Sequence, residues 1–371
     1  MLNIPESVKN QINNPQPDIK QFVDIITGRE KPQKVHLAEL FADWEVMQWI
    51  TEDIIGRKWV PENKSDIEQM KQHLLCQIEY WYRMGYDYIR IAGGLEFVDT
   101  TTAADEVGEN LGKEKRNWAD MHGGPIQSFE DFEKYPWPVV KDENLWMYEF
   151  VAENLPDGMG LMACPSSGFL EVPMEFLIGY ESMAMMIYDN PELIKAVFDK
   201  HRGLMLDVYK KVVGIEQLAG FFQGDDMGYK TGTMFSPDFL KEYSLPGHKL
   251  AAALAHEHDK IYILHSCGQL NEIYDYLIDE IKIDAKHSYE DVIMPVEDFC
   301  AEYGSRVAAI GGVDLNLLSM ADEKTVRERV RKILAACMPS GRYALGSGNS
   351  VTNYCKQENI LAMFDEAYSW G

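Results

Sequence analysis

Nowhere in this 371-residue chain does an uninterrupted apolar run approach the roughly 18 residues that a membrane-spanning helix needs, and no basic stretch followed by an apolar core opens it. These absences predict a cytoplasmic protein with no membrane partner. Basic side chains are scarce as well, with 35 Lys and Arg against 60 Asp and Glu, a formal net charge of −25. Such a field repels phosphate backbones and anionic lipid surfaces, which argues against nucleic acid as a partner. Cysteine is sparse and scattered. Cys76, Cys164, Cys267, Cys300, Cys337 and Cys355 lack the spacing of a disulfide framework and fit reduced thiols. A GxxxxGK[ST] phosphate loop and a dinucleotide fingerprint are both missing.

What the chain does have is 46% hydrophobic residues, enough for a large core. Short β-branched or aromatic runs alternate with longer amphipathic stretches, the pattern of repeated βα units on a parallel sheet. Eight strands are expected: Val35–Phe41, Tyr86–Ala92, Gly160–Cys164, Gly220–Gln223, Ile261–His265, Lys282–Ala285, Val307–Ile310 and Arg342–Leu345. Helical spacing marks Ser65–Met84, Asp238–Asp259 and Glu323–Cys337, with Ser236–Pro237 opening the second of these. The fold class read from this is α/β, a (β/α)8 TIM barrel over residues 35–371. An N-terminal arm, residues 1–34, precedes it and carries Asn-Pro and Gln-Pro, so it is expected to lie on the surface. Gly93–Val140 is too long for a βα connection and reads as a loop insertion after the second strand, serving either as a lid or as a minor core around Trp118 and Trp137.

In (β/α)8 proteins the reactive groups sit at the carboxyl ends of the strands. That filter selects His36 and Glu39, Cys164 with Ser166 and Ser167, Asp225 and Asp226, His265 and Cys267, His287 and Glu290, Asp314, and Gly346–Asn349. In Ile261-Tyr-Ile-Leu-His-Ser-Cys-Gly268 an apolar strand ends in His-x-Cys. Residues two apart on an extended chain project to one side, so imidazole and thiolate can meet on one metal, and zinc accepts both. Gln223-Gly-Asp-Asp-Met-Gly228 places two carboxylates behind a strand. Either could bind a cation, act as acid or base, or orient a ligating histidine, and at least one is expected to cap the following turn. Ile310-Gly-Gly-Val-Asp314 and Leu345-Gly-Ser-Gly-Asn349 put flexible backbone in the usual phosphate-binding quarter of the fold. Gly312, Asp314, Ser347 and Asn349, with His36, are therefore candidate substrate contacts, although such glycines also serve tight turns. His73, His201, His248, His256 and His258 fall on helical patterns and are expected to be solvated or capping, while Cys76, Cys300 and Cys337 are expected to be buried small hydrophobes.

The segments Gly168-Phe-Leu-Glu171, Gly179-Tyr-Glu181, Gly224-Asp-Asp226, Ser236-Pro237, His265-Ser-Cys-Gly268, Gly311-Gly-Val-Asp314 and Leu345-Gly-Ser-Gly-Asn349 resemble, in family order, the uroporphyrinogen decarboxylase superfamily over roughly residues 35–370. The resemblance implies a (β/α)8 barrel and one of two activities. The decarboxylases carry Met-Arg-Gln-Ala-Gly-Arg-Tyr after the first strand, with arginines for the substrate's carboxylates. This chain reads His36-Leu-Ala-Glu-Leu-Phe-Ala-Asp43 there. The superfamily's methyltransferases work with corrinoid (cobalamin) proteins and use a His-x-Cys pair plus a distant cysteine to bind zinc, which holds a thiol as thiolate. His265 and Cys267 match the pair, Asn349 stands at the cysteine position, and Cys355 follows six residues later. The resemblance therefore implies a methyltransferase moving a methyl group between a small methylated substrate and a corrinoid partner. Its metal would be held by His265, Cys267 and a harder ligand such as Glu290, with Asp225, Asp226 and Glu39 as further ligands or acid–base groups. Decarboxylation of uroporphyrinogen or a related acid, and non-catalytic tetrapyrrole binding, are the alternatives. A homodimer is left open.

Overall fold

A computed structural model describes residues 2–98 and 123–370 in full, and the backbone alone of 101–107 and 114–119. Its strands are β1 (Tyr88–Ala92), β2 (Thr101–Val107), β3 (Glu114–Ala119), β4 (Gly160–Cys164), β5 (Leu218–Gly224), β6 (Gly228–Tyr229), β7 (Gly232–Thr233), β8 (Ile261–His265), β9 (Ala285–His287), β10 (Ala308–Ile310) and β11 (Tyr343–Ala344). Seven of them form one parallel sheet in the order β1-β4-β5-β8-β9-β10-β11, and β2-β3 and β6-β7 are separate hairpins. Every residue of β4 and of β8 is buried, as expected where helices cover one face and the curled sheet closes on the other. The inner cluster takes alternate residues of successive strands, among them Tyr88, Met162, Phe222, Ile263, Ala308 and Ala344.

The expected first strand is not a laddered strand. Residues around 35–42 touch the sheet through parallel bridges, Leu37 to Leu345 and Ala42 to Val351. On their other side Tyr88 reaches across, its hydroxyl 3.0 Å from both the backbone nitrogen and the carbonyl oxygen of Glu39. The expected strand over Lys282–Ala285 begins later because Lys282, at φ 65°, ends the helical turn Tyr276–Ile281 in the left-handed region. His287 consequently falls at the strand's last position. The expected helix Asp238–Asp259 is two, Pro237–Tyr243 and Leu245–Glu257, the first opened by Ser236 as its spacing predicts.

The N-terminal arm forms two short helices, largely exposed but anchored by one buried apolar face. Its helices are α1 (Glu6–Asn13) and α2 (Ile19–Ile26), and Phe22 and Ile26 of α2 are fully buried in the inner cluster. One apolar face on a polar segment was enough to anchor it. In the insertion, Trp137 packs on Phe132 and Tyr135 and leans on the main core, whereas the side chain of Trp118 lies outside the described residues. Among the described residues no helix is long and apolar enough to cross a membrane.

Candidate metal centre

Consecutive strand ends bring the chemistry together. The backbone N–H of Asp225 donates to the carbonyl of His265, and that of Ser266 to the carbonyl of His287, so the ends of β5, β8 and β9 stand side by side. Asp226 Oδ1 lies 3.5 Å from His265 Nε2, and Cys267 Sγ lies 3.4 Å from the same nitrogen. One ligand atom from each of Asp226, His265 and Cys267 falls within 4.8 Å of the others. A tetrahedral zinc, with bonds of about 2.0 Å to N or O and about 2.3 Å to S, sets its ligands roughly 3.3–3.6 Å apart. The donor types suit a zinc ion, and the two distances to His265 Nε2 lie in that range.

The surroundings fix each donor. The backbone N–H of Cys267 donates to Asp226 Oδ1 at 2.8 Å, and Asn349 Nδ2–H donates to Cys267 Sγ at 3.1 Å. Ser288 Oγ lies 3.4 Å from the same sulfur, on a residue held at φ 84°, a strained conformation for a non-glycine residue. His265 Nδ1 is 2.7 Å from His287 Nδ1, and burial, then the neighbouring His265, push the pKa of His287 well below the usual range. A neutral His287 can accept the Nδ1 proton of His265, so that a cation taking the place of the Nε2 proton shared with Asp226 would meet an Nε2 lone pair. Gly268, at φ 77°, lets the loop press against the β6–β7 hairpin, for a Cβ there would meet the carbonyl carbon of Gly228 at 2.2 Å.

Charges at the centre are poised for a cation. Burial pushes the Cys267 thiol well above its ordinary value and Asp226 raises it further, so only a nearby positive charge makes it a thiolate. Burial also pushes Asp226 upward, but hydrogen bonding to His265, that histidine's charge and the Cys267 backbone outweigh it and hold the carboxyl below the usual range. Around this group stand Glu171, raised well above its ordinary value by burial and by the charges of Asp226 and Asp225, and Glu175, raised to about 7 by burial and the same two charges. Burial lowers Lys286 to about 8, and its ammonium lies 4.4 Å from the Tyr289 ring centroid.

The two adjacent aspartates part company. Asp225 faces inward, where its carboxylate accepts from the backbone N–H groups of Leu170 and Glu171 at 3.0 Å, from Ser244 Oγ at 3.3 Å, and sits 2.7 Å from His248 Nε2. It lies outside the cluster of Asp226, His265 and Cys267 and is held as a buried anchor. Asp225→Ala is expected to cost about 3–5 kcal/mol of stability, the penalty for breaking a buried charged network, while bound metal is kept. Thermal melting and metal analysis check this, and metal loss at an unchanged melting temperature would reverse the roles of the two aspartates.

Other expected contacts lie elsewhere. Glu290 is outside the metal cluster. His36 is buried against Asp87 Oδ2 at 2.6 Å and Gln21 Oε1 at 2.9 Å, at the start of β1 and so at the opposite end of the sheet. The backbone N–H groups of Gly312, Val313, Ser347 and Gly348 are already bonded within the fold. Asp314 caps the helix Leu315–Met320 and accepts from the Asp291 N–H at 2.8 Å. Glu39 is wholly buried beside Ser347, whose backbone N–H donates to Oε1 at 2.6 Å and whose Oγ is 2.6 Å from Oε2. His201 and His248 are fully buried, not solvated. The sequence reading passed over Glu175, Lys286 and Arg90. The last lines a cavity of about 1010 Å³ beside the carboxyl end of β1.

The family described as Uroporphyrinogen decarboxylase (URO-D) matches residues 75–370 of the chain. No curated protein matches it. Among solved structures, a methyltransferase from Methanosarcina mazei is 15% identical, with 95% of this chain and 98% of that one covered at a TM-score of 0.66. The intracellular xylanase TsXylA from Thermoanaerobacterium saccharolyticum is a fainter likeness, 10% identical at a TM-score of 0.39 with 91% of each chain covered.

Proposed function

The chain belongs to the uroporphyrinogen decarboxylase family, and from that premise we propose that it is a zinc-dependent methyltransferase, moving a methyl group between a small methylated substrate and the cobalt of a corrinoid carried by a partner protein. The observation that carries the reading is the convergence of Asp226, His265 and Cys267, with one ligand atom of each within 4.8 Å of the others. In this reading residues 35–371 are the catalytic barrel, closed at its eighth position by the segment around 35–42, and the protein works in the cytoplasm. The M. mazei methyltransferase supports the fold, and the activity is our inference.

Asp226, His265 and Cys267 would hold the metal, and Asn349 stands beside the Cys267 sulfur. When bound, zinc supplies a positive charge that stabilises an anionic sulfur or oxygen on the substrate. His287 keeps His265 in the ligating tautomer, and the Asn349 amide positions the Cys267 sulfur. As the methyl carbon bonds to cobalt(I) through the cobalt electron pair, its former bond pair stays on the substrate heteroatom, which then needs a proton. Glu175, at about 7, is the group suited to provide it near neutral pH. Transfer is therefore expected to fall as pH rises through about 7, since the protonated carboxyl is the competent form. Glu175→Gln is expected to flatten that limb and to slow transfer by roughly 10²–10⁴-fold. A pH–rate profile unaltered in Glu175→Gln contradicts this role.

Decarboxylation of uroporphyrinogen is less well supported, because several substrate carboxylates need several cations. The cavity offers Arg90, Lys64 and Lys141 against Glu62, Glu96 and Glu143. The discriminating experiment incubates the purified protein with methylated donors and cob(I)alamin, and separately with uroporphyrinogen. Methylcobalamin formation supports the proposal, and coproporphyrinogen without methyl transfer refutes it.

A further inference from the structure

Arg90 and Arg342 stand apart from the other partly buried arginines in having no carboxylate partner among the described residues, and Arg90 lines a cavity. Arg329 is typical of the others, with its guanidinium locked to the carboxylates of Asp291 and Glu297 by bonds of 2.6–3.0 Å. Arg90 projects from β1 between buried Ile89 and Ile91 and makes one hydrogen bond, from Nε–H to the carbonyl of Phe222 at 2.8 Å. Its guanidinium carbon is 5.8 Å from the centroid of the Phe222 ring. Among the described residues neither terminal nitrogen has a partner, and no carboxylate pairs with it, in a chain whose acids outnumber its bases by 60 to 35. One bond thus fixes the plane of the fork and leaves its outer donors free.

Those donors face a cavity of about 1010 Å³, the upper range for a site that takes a small organic molecule. Its lining includes the apolar side chains of Phe41, Met47, Trp81, Trp146 and Met147, together with the charged Glu62, Lys141 and Glu143. The opposing charges Lys64 and Glu96 pair at 3.5 Å and are largely exposed, so they are screened by water and salt. A planar fork with free donors in the wall of a cavity that also carries aromatic side chains matches a carboxylate on a flat apolar body, because the two N–H groups can engage both carboxylate oxygens. Phe222 links this wall to the metal centre, since its ring centroid is 5.5 Å from that of His287, which contacts His265.

We infer that this cavity is the substrate subsite and that Arg90 anchors a carboxylate-bearing compound with an apolar body of aromatic size. Its assignment as the substrate site rests on the methyltransferase reading. The binding itself does not.

Calorimetric titration of the purified protein with benzoate and with its neutral isostere benzamide tests the inference. Benzoate is expected to bind at least about ten-fold more tightly than benzamide, the usual scale for a charge-assisted bidentate pair. Arg90→Met is expected to bring the two within about two-fold of one another, whereas Arg90→Lys, which keeps the charge and loses the fork, retains part of the preference. A purely structural Arg90 would change the melting temperature without altering the benzoate-to-benzamide ratio. Equal affinities in the unmodified protein, no binding of benzoate, or a preference that survives in a folded Arg90→Met would each overturn the inference. Should Arg90→Met fail to fold, the ratio in the unmodified protein and its reduction in Arg90→Lys decide. Selective benzoate binding by a protein that transfers no methyl would refute the methyltransferase reading and leave the carboxylate site standing.

Discussion

Cys267→Ala is expected to empty the metal centre, lowering zinc from about one ion per chain to below about a tenth, and to slow methyl transfer by about 10³-fold, because three protein ligands are the usual minimum for a catalytic zinc. The sulfur is the softest donor of the set and lies 3.4 Å from His265 Nε2. Cys355→Ala is the control. Its thiol is buried 3.3 Å from Thr352 Oγ1 and 3.8 Å from Ser319 Oγ, so its removal is expected to leave zinc and transfer unchanged. Metal analysis of both variants, with each shown to be folded by circular dichroism, checks the pair. Because a bound cation must displace the proton that burial keeps on Cys267, zinc binding to the metal-free protein is also expected to release acid.

The second large effect concerns Glu39, raised from 4.5 to about 8 by burial against the opposing influence of its Ser347 hydrogen bonds. Below pH 4.5 the side chain is protonated both folded and unfolded and does not alter stability. Between 4.5 and 8 the unfolded chain gives up a proton that the folded chain keeps, so stability is lost as pH rises toward 8. The full penalty above pH 8 is on the order of 4–5 kcal/mol. Glutamine mimics the protonated acid, with its carbonyl accepting from the Ser347 N–H and its amide donating to Oγ. Glu39→Gln is therefore expected to raise the melting temperature by several degrees more at pH 8.5 than at pH 4.5. An equal change at both values contradicts a buried, protonated Glu39.

The motif His265-Ser-Cys267 was legible because a strand's alternation is local, and the spacing that joins imidazole to thiolate needs no knowledge of the rest of the chain. Asn349 at the cysteine position pointed to a carboxylate as the third ligand of the proposed metal. Which carboxylate lies with His265 and Cys267 was not legible. The choice between Asp225 and Asp226 is made by His248 and Ser244, about 20 residues further on, and by backbone N–H groups after β4. Glu290 lies outside the cluster that Asp226 joins. Glu175 was invisible because it stands on the irregular turn Val172–Leu177, where no strand end marks it. The sheet was recovered nearly strand for strand, since buried parallel strands are continuous apolar runs. The segment around 35–42 was read as a strand although it makes only bridges, and α2 was read as surface although its apolar face fills the inner cluster, because both outcomes depend on partners far along the chain.

The most direct test of the metal centre is zinc K-edge X-ray absorption on protein purified without chelators. The Asp226, His265 and Cys267 set predicts a single sulfur neighbour at about 2.3 Å with the remaining neighbours nitrogen or oxygen at about 2.0–2.2 Å. Two sulfur neighbours, or none, would contradict it.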